Sequence, residues 1–348
     1  MKGGCGEQWR CILFLMLFML ASCSTGTLQE QGGLEPVPVW PAPPAAARIV
    51  WVEEVSRFQD ICGQPGFWQR LKEVLVGKIS TGMVKPYGIY IDEEQRLYVV
   101  DSGSGFIHLM DPNAGCYRAI PGPDDGLVLP SPIGVAGDDQ GQVFITDSKL
   151  GKVYRYLPDD GSLQPLTRMT LKRPAGIAYH RLNRLLYVAE AGVHQVVAFD
   201  RQGIEQFRFG SHGKRPGEFN FPTAVCVDQR GQVLVTDALN ARVQIFTPEG
   251  QFVAAFGEPG DTSGTFAKPK GVAVDSEGHV YVCDALFDAV QIFDQEGRLL
   301  LTFGQSGSAP GEFWMPSGIS IDSRDYIYVA DSYNRRVQVF RYVREGER

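Results

Sequence analysis

Apolar and polar residues alternate along residues 86–340 in six similar units, each made of short strand-like runs separated by polar turns. Every unit opens with proline and a short apolar run that usually ends in an acid, as in 86–92, 132–138, 174–180, 222–228, 269–275 and 316–322. A repeat in the forties with several short strands predicts propeller blades, because one such unit cannot bury both of its faces alone. We therefore expect an all-β fold: a six-bladed β-propeller of four-stranded antiparallel blades.

The repeated proline and glycine have physical roles at the start of each unit. Proline suits the first residue of a strand, where no ladder hydrogen bond needs its missing N–H. The glycine two places later, as in Pro86-Tyr-Gly88, lets neighbouring backbones approach closely. Such crowding is expected near the axis of a propeller.

Acidic residues recur at the ends of the first two strands of the units. Asp138, Asp228 and Asp275 each begin a turn that closes on glycine three residues later. The acids after the second strand are Asp101, Asp147, Asp237, Asp284 and Asp331. We interpret both sets as carboxylates that accept hydrogen bonds from nearby backbone amides, and not as catalytic groups.

These units resemble the NHL repeat. The resemblance is carried by runs such as Pro269-Lys-Gly-Val-Ala-Val-Asp275 and by the Asn-x-Arg-Val-Gln steps of residues 240–246 and 334–340. It spans residues 86–340 and is weaker in the first and third repeats, which lack the Asn-x-Arg step. In the third, His180 and Glu190 stand where the pattern has aspartate. The resemblance implies a six-bladed propeller that binds protein, nucleic acid or glycan on one face. A minority of related propellers are enzymes.

The last repeat has no fourth strand before the chain ends at residue 348. An open sheet edge there would favour aggregation, so another segment must cover it. Residues 48–55 are the remaining strand-like run outside the repeats. We predict that this N-terminal strand closes the last blade and thereby the ring.

The N-terminus has the layout of a secretory signal, with Lys2 and Arg10 ahead of the apolar run 11–20. Residues 20–23 resemble the bacterial lipobox, which implies cleavage after residue 22 and a lipid, such as palmitate, on Cys23. We expect signal peptide 1–22, a Pro- and Gly-rich tether 23–47 and the propeller in 48–348. The implied location is the bacterial cell envelope, with Ser24 favouring the outer membrane and the domain facing the periplasm or exterior.

Few other groups suggest chemistry. Cys226 and Cys283 fall in predicted strands and are expected to be buried, while Cys62 and Cys116 fall at opposite ends of the first blade and are not expected to pair. Residues 66–77 have the spacing of a short amphipathic helix, which packs across a blade seam or else docks on a partner or membrane.

Catalysis would need converging ligands or an acid–base pair. The histidines are expected to lie apart, in turns, loops and a third strand: His108, His180, His194, His212 and His279. No phosphate loop, nucleophile elbow or His-Glu-x-x-His motif occurs. We expect a non-enzyme without metal or cofactor; the alternative is a metal-dependent propeller enzyme, related to lyases or lactonases.

Charge separates the two faces of the predicted ring. The turn face, made by the connections from first to second and third to fourth strands, is rich in Asp and Glu. The loop face, made by the connections from second to third strands and between blades, sums close to zero. With a formal net charge of −7 and no strongly basic face, the chain is not expected to bind nucleic acid.

The loop face is the predicted binding site. Phe219, Phe266 and Phe313 stand three residues before a blade proline, and this regularity predicts that they pack under their loops. Less regular aromatic and cationic residues are the candidates for partner contact: Tyr87, Lys214, Arg215, Phe221, Arg242, Phe287, Trp314, Tyr333, Arg335 and Arg336. The expected partner of this monomeric propeller is an envelope protein or a glycan.

Overall fold

The computed structural model describes residues 37–56, 82–121 and 127–346. Within these residues the chain forms six antiparallel sheets. The first strand of each sheet contacts the first strand of the next, and the sixth sheet contacts the first, so the sheets close into a ring. The predicted six-bladed propeller is confirmed, and its inner strands surround the axis.

The strands follow the chain in blade order. Two N-terminal strands are β1 (Val39–Trp40) and β2 (Ile49–Val55). Blades 1 and 2 consist of β3 (Pro86–Ile91), β4 (Leu97–Asp101), β5 (Phe106–Asp111), β6 (Cys116–Ile120), β7 (Pro132–Gly137), β8 (Val143–Asp147), β9 (Lys152–Leu157) and β10 (Ser162–Pro165). Blades 3 and 4 consist of β11 (Pro174–His180), β12 (Leu185–Glu190), β13 (Gln195–Phe199), β14 (Glu205–Phe209), β15 (Pro222–Val227), β16 (Val233–Asp237), β17 (Arg242–Phe246) and β18 (Phe252–Phe256). Blades 5 and 6 add β19 (Pro269–Val274), β20 (Val280–Asp284), β21 (Ala289–Phe293), β22 (Leu299–Phe303), β23 (Pro316–Ile321), β24 (Tyr326–Asp331) and β25 (Arg336–Tyr342). A 3₁₀ turn, Ala238–Asn240, precedes β17.

The inner strands begin at the repeated prolines, as predicted. A glycine follows two residues later in every blade except the fourth, which has Ala224, and the close packing of neighbouring inner strands explains it. A Cβ atom built on Gly88 would lie 2.4 Å from the carbonyl oxygen of Ile133 in the next blade, and one on Gly318 would lie 1.9 Å from that of Tyr87. Any side chain at these positions would force adjacent blades apart.

The N-terminal strand β2 closes the ring, as predicted. It pairs antiparallel with β25 from Ile49 opposite Tyr342 to Val55 opposite Val337, so the sixth blade is completed from the other end of the chain. Ile49 is fully buried in the core between blades 5 and 6. The two ends of the propeller are therefore held together by one sheet.

A fifth strand, β1, lies outside β2 in the same sheet. It falls within residues 23–47, which composition had assigned wholly to a tether. The Trp40 ring centroid lies 5.7 Å from that of Phe303 and 5.8 Å from that of Phe340. This packing of the half-buried indole against two core rings holds the extended segment on the sheet, and the propeller thus includes residues 39 and 40.

The core lies between adjacent blades and repeats with them. The phenylalanines that precede the blade prolines are buried beneath their loops, as predicted: Phe219, Phe266 and Phe313. Each packs against a phenylalanine of a third strand, with ring centroids 5.4 to 5.6 Å apart, in the pairs Phe219–Phe246, Phe266–Phe293 and Phe313–Phe340. These pairs fix the inter-blade loops on the ring.

Several predictions concern residues outside the described ranges. They are the signal peptide 1–22, the lipidated Cys23, the residue Cys62 and the amphipathic helix 66–77. Among the described residues, no helix is long and apolar enough to cross a membrane.

Removing the closing strands should destabilise the whole ring. A chain that starts at residue 56 loses β1 and β2, and with them the buried side chain of Ile49 and the packing of Trp40; each fully buried side chain of this size contributes roughly 1.5–3 kcal/mol. We expect the melting temperature to fall by roughly 10 °C or the chain to aggregate, relative to a control chain that starts at residue 37. Equal melting of the two chains in calorimetry would contradict this role of β2.

Candidate functional site

Buried carboxylates organise the loop face, and the predicted capping role is confirmed. Asp284, fully buried, accepts hydrogen bonds from the backbone N–H groups of Ala267 at 2.8 Å and Lys268 at 3.0 Å, in the loop that enters its own blade. It also accepts from the N–H of Leu286 at 3.1 Å, in the loop that follows it. Asp101 and Asp147 repeat this arrangement. Asp237 and Asp331 accept a backbone N–H from the entering loop and the side-chain amide of an asparagine in the following loop. Each acid therefore joins two loops of the loop face.

In the third repeat, Glu190 takes over this role and accepts from the Lys172 N–H at 2.5 Å. In the first blade the imidazole of His108 lies 3.2 Å from the Asp101 carboxylate. Burial alone would raise the pKa of Asp101, but the hydrogen bonds from His108 and from backbone N–H groups outweigh it, so the pKa is lowered. The carboxylate thus stays ionised as a structural acceptor.

The assignment of Arg242 and Arg336 to partner contact does not fit the structure. Arg336 is 5 % exposed, and its guanidinium donates to Asp331 at 2.8 Å and to the carbonyl oxygens of Ala309 and Glu312, each at 2.9 Å. Arg242 makes the equivalent bonds in blade 4. Because their donors are used inside the loops, both arginines are structural clamps. The Asn-x-Arg motif therefore corresponds to a contact that stabilises the fold in both blades, between the arginine, a buried aspartate and loop carbonyl oxygens.

Two of the predicted aromatic residues meet at the surface. Trp314 is 52 % exposed and Tyr333 is 47 % exposed, and their ring centroids lie 5.4 Å apart. One comes from the loop entering blade 6 and the other from the loop between β24 and β25. They form the exposed aromatic pair of the loop face.

The remaining candidates are spread around the loop face. Lys214, Arg215 and Arg335 are exposed, and Arg215 is paired with Glu218 at 2.7 Å. Tyr87, Phe221 and Phe287 are half-buried. Of these, Tyr87 is connected to the aromatic pair by two lysines that the sequence analysis did not select.

That group contains two lysines and two tyrosines from three blades, and we call it the Lys–Tyr quartet: Lys85, Tyr87, Lys270 and Tyr333. The Lys85 ammonium lies 5.4 Å from the centroid of the Tyr333 ring, and the Lys270 ammonium lies 6.0 Å from that of Tyr87. Burial lowers the pKa of Lys270, and the nearby Lys85 charge lowers it further. Burial also raises the pKa of Tyr87. The half-buried Lys270 ammonium therefore lies within electrostatic reach of the exposed Lys85 ammonium.

Sequence reasoning missed Lys85 and Lys270, although a signal was present. Lys270 and Tyr87 both occupy the variable place between proline and glycine in the repeated opening. The inner strands bring this place to the channel mouth on the loop face. The residue at this place differs from blade to blade, and these differing side chains line the channel mouth.

A second cation–aromatic contact lies at blades 3 and 4. The Arg173 guanidinium is 4.9 Å from the centroid of Phe221, and both residues have positive φ values, 56° and 65°. The Phe221 N–H donates to His194 Nδ1 at 3.0 Å. His194 and His212 were expected to lie apart, but their ring centroids are 4.4 Å apart because two neighbouring loops bring them together. The His194 ring thus contacts residues of two neighbouring loops on the loop face.

The turn face carries a larger cavity of about 550 Å³, which opens around the inner strands. Arg181 and Glu93 pair across its mouth at 2.7 Å. The acids of the first-strand turns accept hydrogen bonds from the backbone, as predicted: Asp138, Asp228, Asp275 and Asp322. The part of the chain that the structure describes contains no group of three or more His, Cys, Asp or Glu side chains placed to hold a metal ion.

The cysteines are placed partly as expected. Cys283 is fully buried, whereas Cys226 is half-buried on an inner strand beside the cavity of the turn face. Burial raises the pKa of both thiols, so neither is a reactive thiolate at neutral pH. Cys116 is an exposed free thiol.

Comparison with known proteins finds NHL repeats in the second half of the chain. A family model of the NHL repeat matches residues 219–246, 266–288 and 313–340. Protein brain tumor from Drosophila melanogaster is 34 % identical over 82 residues, which are 23 % of this chain and 8 % of that protein, so the chain spans a small part of this relative.

Solved structures share the fold at low identity. A streptogramin B lyase structure matches with a TM-score of 0.57 and 13 % identity, over 76 % of this chain and 96 % of that one. An auxiliary nutrient binding protein from Bacteroides thetaiotaomicron matches with a TM-score of 0.61 and 16 % identity, over 75 % of this chain and 70 % of that one. At these identities the likeness concerns the fold alone.

Removing a capping carboxylate should cost stability. Asp284→Ala leaves the N–H groups of two loops without their acceptor, so the free energy of unfolding should fall by about 1–3 kcal/mol in chemical denaturation. The control Asp159→Ala, at an exposed turn position, should change it by less than about 0.5 kcal/mol. Equal effects of the two substitutions would argue against the capping role.

Proposed function

We propose that this chain, in which NHL repeats form a six-bladed β-propeller, is a non-catalytic binding module. It holds a protein or glycan partner on its loop face and is tethered to the bacterial envelope by a lipid on Cys23. The propeller acts as a monomer. The location and the lipid rest on the signal-like segment 1–22 and the lipobox-like residues 20–23.

The observation that carries the binding role is the exposed pair of Trp314 and Tyr333. Large aromatic side chains provide much of the binding energy of protein interfaces when a partner covers them. Here about half of each ring is exposed while the two rings contact each other, and Lys85 adds a cation over Tyr333. The pair is therefore available to a partner without any side chain having to leave the core.

The rigidity of the loop face supports the same role. Its loops are fixed by buried acids such as Asp284 and by buried arginines such as Arg336. A surface that is already ordered loses little conformational entropy on binding, so a modest number of contacts is enough for useful affinity.

The alternative is a metal-dependent enzyme on the same fold, like the lyases and lactonases among related propellers. Such an enzyme needs ligands that converge on an ion, and the described residues do not supply them on the turn-face cavity or at the loop-face mouth. Metal analysis of protein dialysed without chelator separates the two functions. Stoichiometric zinc or calcium that persists after dialysis would favour the enzyme.

Replacing the exposed aromatic pair should weaken partner capture. The double substitution Trp314→Ala with Tyr333→Ala removes two contact residues, and we expect capture from detergent-solubilised envelopes to fall by at least about tenfold. The control neutralises exposed acids of the turn face with Asp159→Asn, Asp160→Asn and Glu249→Gln, and should change capture by less than about threefold. The reverse ranking would place the site on the turn face.

The anchor is tested separately. Cys23→Ala removes the thiol that would carry the lipid, so incorporation of labelled palmitate should be lost and the domain should move from the washed membrane fraction to the soluble fraction. Cys116→Ala, at an exposed thiol of the propeller, is the matched control and should leave both unchanged. Retention of Cys23→Ala in membranes would show that the tether lies elsewhere.

A further inference from the structure

The Lys–Tyr quartet lies where the channel opens on the loop face. Its ammonium groups are set over ring faces in the alternating order Lys85 on Tyr333 and Lys270 on Tyr87. Cation–aromatic contacts of this kind hold an ammonium group in place but leave its charge uncompensated. The quartet thus contains two ammonium groups that are close enough for the Lys85 charge to lower the pKa of Lys270.

The sequence explains why two lysines can be so close. Tyr87 and Lys270 belong to blades 1 and 5, and blade 6 between them has the small residue Ser317 at the equivalent position. The Ser317 hydroxyl lies 2.7 Å from that of Ser332 and within hydrogen-bonding reach of the Pro86 carbonyl oxygen. A larger side chain at 317 would separate the two halves of the quartet.

The nearby carboxylates do not neutralise these lysines. Asp101, Asp284 and Asp331 are fully buried and accept hydrogen bonds from loop N–H groups. Among the described residues, neither Lys85 nor Lys270 forms an ion pair with a carboxylate. A partly buried ammonium group without a counter-charge is costly, and this cost is reduced when a ligand brings the negative charge.

The volume of the cavity beside the quartet limits the size of the ligand group that can enter it. The cavity at this mouth measures about 70 Å³ and is lined in part by Tyr87, Lys270, Thr223 and Ser317. Sites for whole small molecules usually measure about 300–1,000 Å³. One small anionic group fits here, and the rest of the ligand must lie across the loop face, toward Trp314.

We propose that the quartet binds the carboxylate of an Asp or Glu side chain in an extended acidic segment of a partner protein, while a neighbouring residue of that segment packs on Trp314. This assignment rests on the loop-face binding function proposed above and names the chemistry of its partner. The carboxylate lies between the two ammonium groups, and the tyrosine rings restrict its position.

A polypeptide fits these residues better than a nucleic acid. Binding to a phosphate backbone needs a basic track along several successive phosphates. The quartet instead offers two charges at one point, on a chain whose formal net charge is −7. One carboxylate with an apolar neighbour matches a pair of ammonium groups beside an indole.

The test uses fluorescence anisotropy with a labelled, terminally blocked peptide of alternating Glu and Trp residues. Its counterpart has Gln in place of every Glu, so the two probes differ only in side-chain charge. Wild-type protein should bind the Glu peptide at least about tenfold more tightly than the Gln peptide, and the preference should shrink as salt rises. Lys85→Met with Lys270→Met should remove the preference and leave binding of the Gln peptide unchanged.

The control Lys149→Met with Lys214→Met removes the same charge from exposed positions of the loop face and should retain at least about a third of the wild-type affinity. Melting temperatures show whether each variant folds; if the double variant does not, Lys85→Met alone, at an exposed position, must still reduce the preference. A preference that both double variants lose equally would reflect net charge alone and overturn the site.

Two further outcomes separate this assignment from the function on which it rests. If envelope capture depends on Trp314 and Tyr333 while the two peptides bind equally, the acidic-segment assignment fails and the loop-face function stands. Tighter binding of single-stranded polyuridine than of the Glu peptide, lost in Lys85→Met with Lys270→Met, would assign the quartet to nucleic acid. Capture that is insensitive to the aromatic pair would remove the loop-face function itself.

Discussion

Each blade depends on a buried carboxylate that accepts a hydrogen bond from the backbone of the loop entering the blade, and in blades 1, 2 and 5 also from the backbone of the loop that follows. Asp284 illustrates the constraint, since one side chain satisfies N–H groups of the loop entering its blade and of the loop that follows. An unsatisfied N–H in this position would cost about as much as several exposed contacts provide. The fold therefore requires an acidic side chain at this position. Its charge is used inside the ring and is not available to a ligand.

This use of the acids changes the electrostatics of the loop face. Counted from sequence, its charges nearly cancel, yet the negative members include buried groups such as Asp101 and Asp331. The positive members near the channel mouth, Lys85 and Lys270, are exposed or half-buried. A face of small net charge can thus present a local positive site, because the hydrogen-bonded acids are screened from the surface by the loops that they hold.

The repeat pattern predicted what the blades share. The sequence predicted three features correctly: the proline at the start of each inner strand, the ring closure by β2 and the phenylalanines beneath the loops. Each depends on a strong local preference or on a sheet edge that must be covered. Arg336 was predicted to contact a partner, because its structural role depends on carbonyl oxygens of a loop that is distant in sequence. Trp40 was missed, because its strand is too short to produce a periodic signal.

In the function proposed here, the residues that differ between repeats determine what is bound. A shared residue such as Gly88 is explained by packing at the axis, where a Cβ atom would collide with the next blade. The residue before it has no such constraint, so its identity can vary from blade to blade. Blade 1 has Tyr87 and blade 5 has Lys270 at this place, while blade 6 has Ser317 between them. Because the ring brings all of these side chains to one opening, three unremarkable differences among repeats combine into a single asymmetric site. With the function proposed here, a symmetric scaffold acquires a directed binding surface in this way without any change to the contacts that fold it.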